Sequence, residues 1–272
     1  MEKEGVEKVE RSKRYSGKKR ERREQEEPNE LLLEGRHAVL EALKSGRSID
    51  KLFVQDTQLQ GSIQQIIYEA KNQKTVIQHV TKTKLDQMST TGNHQGVIAY
   101  VASYDYVEVE DILKKAADRG ESPFIIILDE INDPHNLGAI LRTANAAGAH
   151  GIIIPKRRAV GLTSTVAKVS AGAIEYVGVA KVSNLAQTIE QLKKEGLWIV
   201  CGDMDGEVMY NLDLQGPIGI VIGNEGEGVS RLLKEKCDFI AQIPMYGEIA
   251  SLNASVAGGL MMYEVVRQRN FK

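Results

Sequence analysis

The sequence predicts an α/β protein: a mostly parallel sheet with helices on both faces, preceded by a smaller α/β module. From Phe124 onward, short apolar runs alternate with segments of helical period, as strands buried on both faces require. Residues 31–104 alternate in the same way over about 70 residues, a size that can fold alone. A charged stretch around Gly120 and Pro123 separates the two.

Residues 1–30 are nearly all polar or charged, and Arg11 to Arg23 carries eight Lys and Arg against one Glu. Such a segment buries too little apolar surface to order itself, so a disordered tail is expected. It reads equally well as an RNA-binding arm, adding affinity without sequence choice, and as a solubilising tail whose charge the flanking acids largely cancel.

From Leu31 the pattern is globular. Leu32 to Gly35 leads into a helix over Arg36–Lys44, with Val39, Leu40 and Leu43 on one face. A strand over Lys51–Gln55, a helix over Ser62–Ala70 and a strand over Thr75–Val80 follow. A short helix over Lys82–Met88 and a strand over Gly96–Ser103 complete the module. Residues 105–121 read as a linker with a helix over Val109–Ala117. In residues 122–272 strands fall at Phe124–Leu128, Gly151–Ile154, Trp198–Gly202, Ile218–Ile222 and Phe239–Ile243. Helices fall at Leu137–Ala147, Ser164–Gly172, Leu185–Lys194, Val229–Lys236 and Leu252–Arg267.

Bulk properties narrow the function classes. A net charge of −2 argues against wholesale coating of nucleic acid but allows a local basic patch. Cys201 and Cys237 lie in or beside apolar segments, which favours buried reduced thiols over a disulfide framework or a zinc site; no metal is expected. No apolar run approaches the roughly 18 residues of a membrane span. The charged N-terminus has no signal-peptide core, so a cytoplasmic protein without a membrane partner is expected.

Three stretches could carry chemistry. Asp129 to Asn145 follows a strand and opens a helix, the place where α/β sheets bind ligands. Asn136 falls at the helix start and Arg142 lies about 1.7 turns further on. Taken singly, Asn136 reads as an N-cap and Arg142 as a surface residue whose stem covers apolar neighbours. His135 reads as a loop residue. The second stretch, Ile218 to Ser230, has glycines in a strand-to-helix turn that let a ligand approach the backbone. It lacks a Gly-Lys-Ser/Thr ending, and Glu225 and Glu227 would repel phosphate, so a cationic or neutral adenosine-like ligand suits it better. The third, Ile243 to Ala257, joins a strand through Pro244 and Gly247 to a helix with Ser251 at the expected N-cap and Asn253 and Ser255 beside it.

Together Asn136-Leu-Gly-Ala-Ile-Leu-Arg-Thr-Ala144, Ile222-Gly-Asn-Glu-Gly-Glu-Gly228 and Ile243-Pro-Met…Ser251-Leu-Asn-Ala-Ser-Val-Ala257 resemble the SpoU (TrmH-like) RNA ribose 2′-O-methyltransferases of the SPOUT superfamily. Ala254 and Asn224 depart from the commoner family residues. The resemblance implies a trefoil-knotted domain over 122–272 that holds S-adenosylmethionine and pairs with a second copy as a homodimer. It also implies that residues 31–104, opening on Gly35-Arg-His-Ala-Val-Leu-Glu-Ala42, are an L30e-like domain gripping structured RNA. With that domain and the basic tail, 23S rRNA is favoured over tRNA, and guanosine as the nucleotide. A non-catalytic RNA-binding factor and a narrow-target resistance methylase are the alternatives.

By the same resemblance the donor rests on Gly223, Ile243, Met245 and Leu252. Arg142, Asn136, Glu225, Ser251 and Asn253 form the catalytic set. Family models make Arg142 the base that takes the hydroxyl proton. A guanidinium stays charged at any working pH, so stabilising the developing alkoxide and a neighbouring phosphate is the role expected here. Asn136 would hold the ribose or Arg142, and Glu225 would anchor Arg142 or order its own loop. Tyr246 and Tyr263 are expected to pack rather than stack on bases.

Overall fold

The computed structural model describes residues 32–56, 61–102, 104–248 and 251–271; the expectations for residues 1–30 lie outside them. In the N-terminal part β1 (Leu32–Glu34), α1 (Arg36–Lys44), β2 (Ile49–Gln55), α2 (Ser62–Asn72), β3 (Val76–Val80), α3 (Lys82–Met88) and β4 (Val97–Val101) follow one another. The four strands form one sheet in the order β1-β4-β2-β3, with β2 and β3 parallel and the other pairs antiparallel. Alternation along β2 decides its two cores. Leu52 and Val54 face α1 and α2, meeting Val39, Leu43 and Ile66, while Phe53 faces α3 and meets Leu85 and Ile98. Glu34 closes the sheet edge by accepting hydrogen bonds from Ser89, from Thr90 (N 2.6 Å, Oγ1 2.7 Å) and from Thr91 (Oγ1 2.7 Å). Burial alone would raise its pKa, but these donors hold it down to about 2.

α4 (Val109–Arg119) occupies the expected linker, yet its Ile112 is buried among Ile125, Ile127, Ile153 and Ala180. Just before it, Val107 pairs with Ala180 as an extra rung on the large sheet. The amphipathic face of this charged helix belongs to that sheet.

The large sheet contains β5 (Phe124–Leu128), β6 (Gly151–Pro155), β7 (Gly178–Val182), β8 (Trp198–Val208), β9 (Ile218–Ile222) and β10 (Phe239–Gln242). Their order is β10-β8-β9-β5-β6-β7, and every pair is parallel. The connecting helices are α5 (Pro134–Ala146), α6 (Ser164–Val169), α7 (Leu185–Lys194), α8 (Arg231–Lys234) and, after β10, α9 (Ala254–Asn270). β5 is buried along its whole length and feeds two cores. Phe124, Ile126 and Leu128 pack toward α5, α6 and α9; Ile125 and Ile127 pack toward α4 and α7. Each such side chain contributes about 1.5–3 kcal/mol of apolar transfer, which is why a five-residue strand can anchor the domain.

Several elements differ from the sequence reading. β7 has no counterpart among the strands expected from sequence, because Lys181 interrupts its apolar run. α8 is one turn where a helix over Val229–Lys236 was expected, and α6 stops at Val169 ahead of a separate 3₁₀ turn at Ala173–Glu175. α5 begins earlier than expected, at Pro134, with the Asp133 carboxylate accepting from His135 N (2.9 Å) as the cap. His135 is thus helical, not a loop residue, and Asn136 sits in the first turn. Ser251 is not the cap of α9: the Asn253 Oδ1 accepts from Ser255 N (2.9 Å) and Val256 N (3.4 Å).

β8 shows the largest departure. Its pairing with β10 jumps from Cys201↔Ile240 to Glu207↔Ala241, so residues 202–206 leave the ladder. Cys201 is buried, Cys237 is half-buried, and both are free thiols.

The two sheets meet through Asp50, at the start of β2. Its carboxylate pairs with Lys181 of β7 and accepts from the Tyr106 hydroxyl (2.5 Å), and Tyr106 Oη accepts from Leu162 N (3.0 Å). Burial, then Asp50, pushes the Tyr106 phenol well up. No helix among the described residues is long and apolar enough to cross a membrane.

Candidate active site

Parallel strands aim their C-terminal ends at one edge, and three loops converge there. The first is the β5–α5 turn. The second follows β9, where Asn224 Oδ1 accepts from Gly226 N (2.9 Å) and Glu227 N (2.8 Å) and folds the glycines into a closed turn. Gly223 is compulsory: a Cβ there would fall inside the backbone of Gly228. Buried Asp129 fixes this turn to β5, accepting from Ser230 N (2.8 Å). The third comprises the described residues 243–248 and 251–253 after β10.

Where these loops meet, three side chains lock together. The Asn136 amide donates to the Glu225 carboxylate, and the Asn253 amide donates to Asn136 Oδ1 (2.9 Å) and Glu225 Oε1 (3.4 Å). Asn136 is buried in this cluster. One residue from each motif is therefore held by the other two.

Beside the cluster lies a cleft of about 330 Å³ whose walls include Glu225 and Ser251 as well as Gly223, Ile243, Met245 and Leu252. All four residues expected to hold the donor line it. Arg142 does not. It is exposed on α5 and makes no hydrogen bond or ion pair among the described residues, so neither Asn136 nor Glu225 holds it here. Tyr246, expected to pack, is 97% exposed, and Tyr263 is exposed on α9.

Sequence reasoning missed the cleft's far wall: Asp203 and Asp205 from the ejected segment of β8, Lys234 from α8, and Met261 from α9. The run Gly202-Asp-Met-Asp-Gly206, acids between glycines at a strand's end, was the available signal. The basic turn Lys156-Arg157-Arg158 was also missed. Lys156 Nζ donates to the carbonyl of Lys74 in the small sheet's part of the chain (3.2 Å), Arg157 is exposed, and Arg158 pairs with Glu130 (3.0 Å) after β5.

The lining fits S-adenosylmethionine. Ile222, Ile243 and Leu252 offer apolar walls for a base, glycine backbone allows close approach, and carboxylates complement a sulfonium. Fold and cleft together define an α/β protein whose cleft, beside an Asn–Glu–Asn cluster, suits a cationic adenosine derivative.

Comparisons with known proteins agree. Residues 123–263 match the SpoU rRNA Methylase family, and residues 32–107 match the RNA 2′-O ribose methyltransferase substrate-binding family. A putative TrmH family tRNA/rRNA methyltransferase of Bacillus subtilis is 56% identical over 237 residues, covering 87% of this chain and 95% of the relative. Among solved structures, an AdoMet-bound rRNA methyltransferase from Sinorhizobium meliloti superposes with a TM-score of 0.56 at 25% identity, over 89% of this chain and 88% of that one. The fold is shared with AviRb, a SpoU methyltransferase of Streptomyces viridochromogenes in complex with AdoMet (TM-score 0.55, 24% identity, 88% of this chain and 89% of that one). The chain belongs to the SpoU/TrmH family of the SPOUT methyltransferases and is an S-adenosylmethionine-dependent RNA methyltransferase.

Proposed function

We propose that the protein methylates the ribose 2′-hydroxyl of a guanosine in 23S rRNA, in the cytoplasm and as a homodimer of knotted domains. The observation that carries the reading is the Asn136–Glu225–Asn253 cluster beside the donor cleft, which gathers all three motifs at one point. Residues 31–104 would grip the RNA, residues 122–272 would carry the reaction, and residues 105–121 would join them.

Gly223, Ile243, Met245 and Leu252 would hold S-adenosylmethionine, which supplies a methyl group on an electrophilic sulfonium. Asn136 and Asn253, tied to Glu225, would hold the three loops in place behind the cleft so that a ribose is oriented against it. Ser251 lines the same wall and offers a hydroxyl to the substrate. Arg142, which pairs with no anion among the described residues, would be available to an RNA phosphate and to the alkoxide that develops as the hydroxyl gives its proton to water. Support for a homodimer comes from Val256, Leu260 and Tyr263, apolar residues four and three apart that α9 exposes along one face. Lys156, Arg157 and Arg158 support an RNA path from the small sheet toward the cleft.

The test is methyl transfer from tritiated donor to purified 23S rRNA and tRNA, with the nucleotide mapped by mass spectrometry. Transfer to tRNA alone would replace the rRNA assignment. Saturable donor binding without transfer to any cellular RNA would favour a non-catalytic factor.

A further inference from the structure

The segment that β8 ejects brings Asp203 and Asp205 into the donor cleft, and Lys234 of α8 meets Asp203 there as an ion pair. The pair is sheltered, the lysine 29% and the aspartate 14% exposed. Among the residues lining the cleft, four are carboxylates (Asp203, Asp205, Glu225 and Glu227) and one, Lys234, is a cation. S-adenosylmethionine carries two positive groups, the sulfonium and the α-ammonium, and one negative group, the α-carboxylate. An acidic wall attracts the first two and repels the third everywhere except beside Lys234.

We propose that Asp203 and Lys234 form the amino-acid-reading end of the cleft: their mutual pair opens on binding, Lys234 taking the donor's carboxylate and Asp203 its ammonium. One charge-assisted pair is exchanged for two, so no sheltered charge is left alone. Asp203 is suited to the exchange. Burial would raise its carboxyl, but hydrogen bonds from Lys234 and from backbone N–H groups of Asp205 and Met204 hold it below the usual range and keep it ionised. The assignment also orients the donor, placing its base toward Ile243 and Leu252 and its tail toward the β8 segment. It rests on the donor lying in this cleft.

The experiment is calorimetric titration of wild type, Lys234→Met and Asp203→Asn with three probes. These are S-adenosylmethionine, its decarboxylated analogue, and 5′-methylthioadenosine, which lacks the whole tail. Lys234→Met should weaken S-adenosylmethionine about tenfold or more and leave the other two within about twofold, as loss of one charge-assisted contact implies. Asp203→Asn should weaken both ammonium-bearing probes and spare methylthioadenosine. Equal losses for all three probes, or none, would overturn the proposal and reduce the pair to a strap between β8 and α8. If Lys234→Met does not fold, Lys234→Gln, which keeps a donor toward Asp203, reads the same ratio. Failure of the wild type to bind S-adenosylmethionine would instead overturn the placement of the donor.

Discussion

The side-chain amide of Asn136 donates to the carboxylate of Glu225, tying the first turn of α5 to the glycine turn after β9, 89 residues further along the chain. Asn253 donates to both. Glu225→Ala therefore strands a buried amide and should cost about 1–3 kcal/mol of stability. Glu225→Gln keeps one acceptor oxygen and should recover most of that loss while lowering turnover. Thermal melts together with single-turnover rates separate the two effects; equal stability of the Ala variant and wild type would deny the cluster any structural weight.

Arg142 does not line the cleft, so Arg142→Ala should leave S-adenosylmethionine affinity unchanged while turnover falls about 10²–10³-fold, the scale of losing one oxyanion donor. Arg142→Lys restores charge without the planar fork. If it restores little activity and shifts no pH optimum, the electrostatic role holds. A rate that climbs with pH through the lysine range would assign it the base role instead.

Gly223→Ala should abolish donor binding, because its methyl group would fall inside the Gly228 backbone and force the turn open. Fluorescence or calorimetric titration checks this. Retained affinity would mean the turn reshapes at little cost.

Acid should weaken the fold through His150. Its Nδ1 accepts from Phe124 N (3.0 Å) and its Nε2 faces Glu121 (2.9 Å), which requires a neutral ring. Burial first, against the pull of Glu121, lowers its pKa from the ordinary 6.5. The unfolded chain thus binds the proton more readily, and stability is present above pH 6.5 and declines below it until the folded state's own pKa is reached. Urea denaturation from pH 8 to 5 should show that decline, and His150→Gln should flatten it. An unchanged slope in the variant would exclude His150 as the source.

RNA affinity should fall with salt, and Arg157→Ala with Arg158→Ala should reduce the slope of log K against log salt by about one per cation removed. Filter binding over a salt series measures it, with donor affinity as the control. An unaltered slope would take RNA off this turn.

Much of the architecture is legible in the residue order because it rests on local pattern. Leu185–Lys194 and Lys82–Met88 match their helices from local pattern, and Phe124–Leu128 and Ile218–Ile222 match their strands from unbroken apolar runs. The motifs also marked residues that meet: Asn136, Glu225 and Asn253 in one cluster, and Gly223, Ile243, Met245 and Leu252 around one cleft.

What the order of residues could not supply was anything settled by a distant partner. Lys181 disguised β7, because its charge is answered by Asp50 from the other sheet. Asn253 displaced Ser251 as cap because its side chain also had Asn136 and Glu225 to satisfy. The register jump that turns Asp203 into the cleft exists only because β10 pairs first with one part of β8 and then with another. Periodicity and turn chemistry are properties of neighbours along the chain, whereas register, charge pairing and the closing of a cleft depend on residues brought together only by folding.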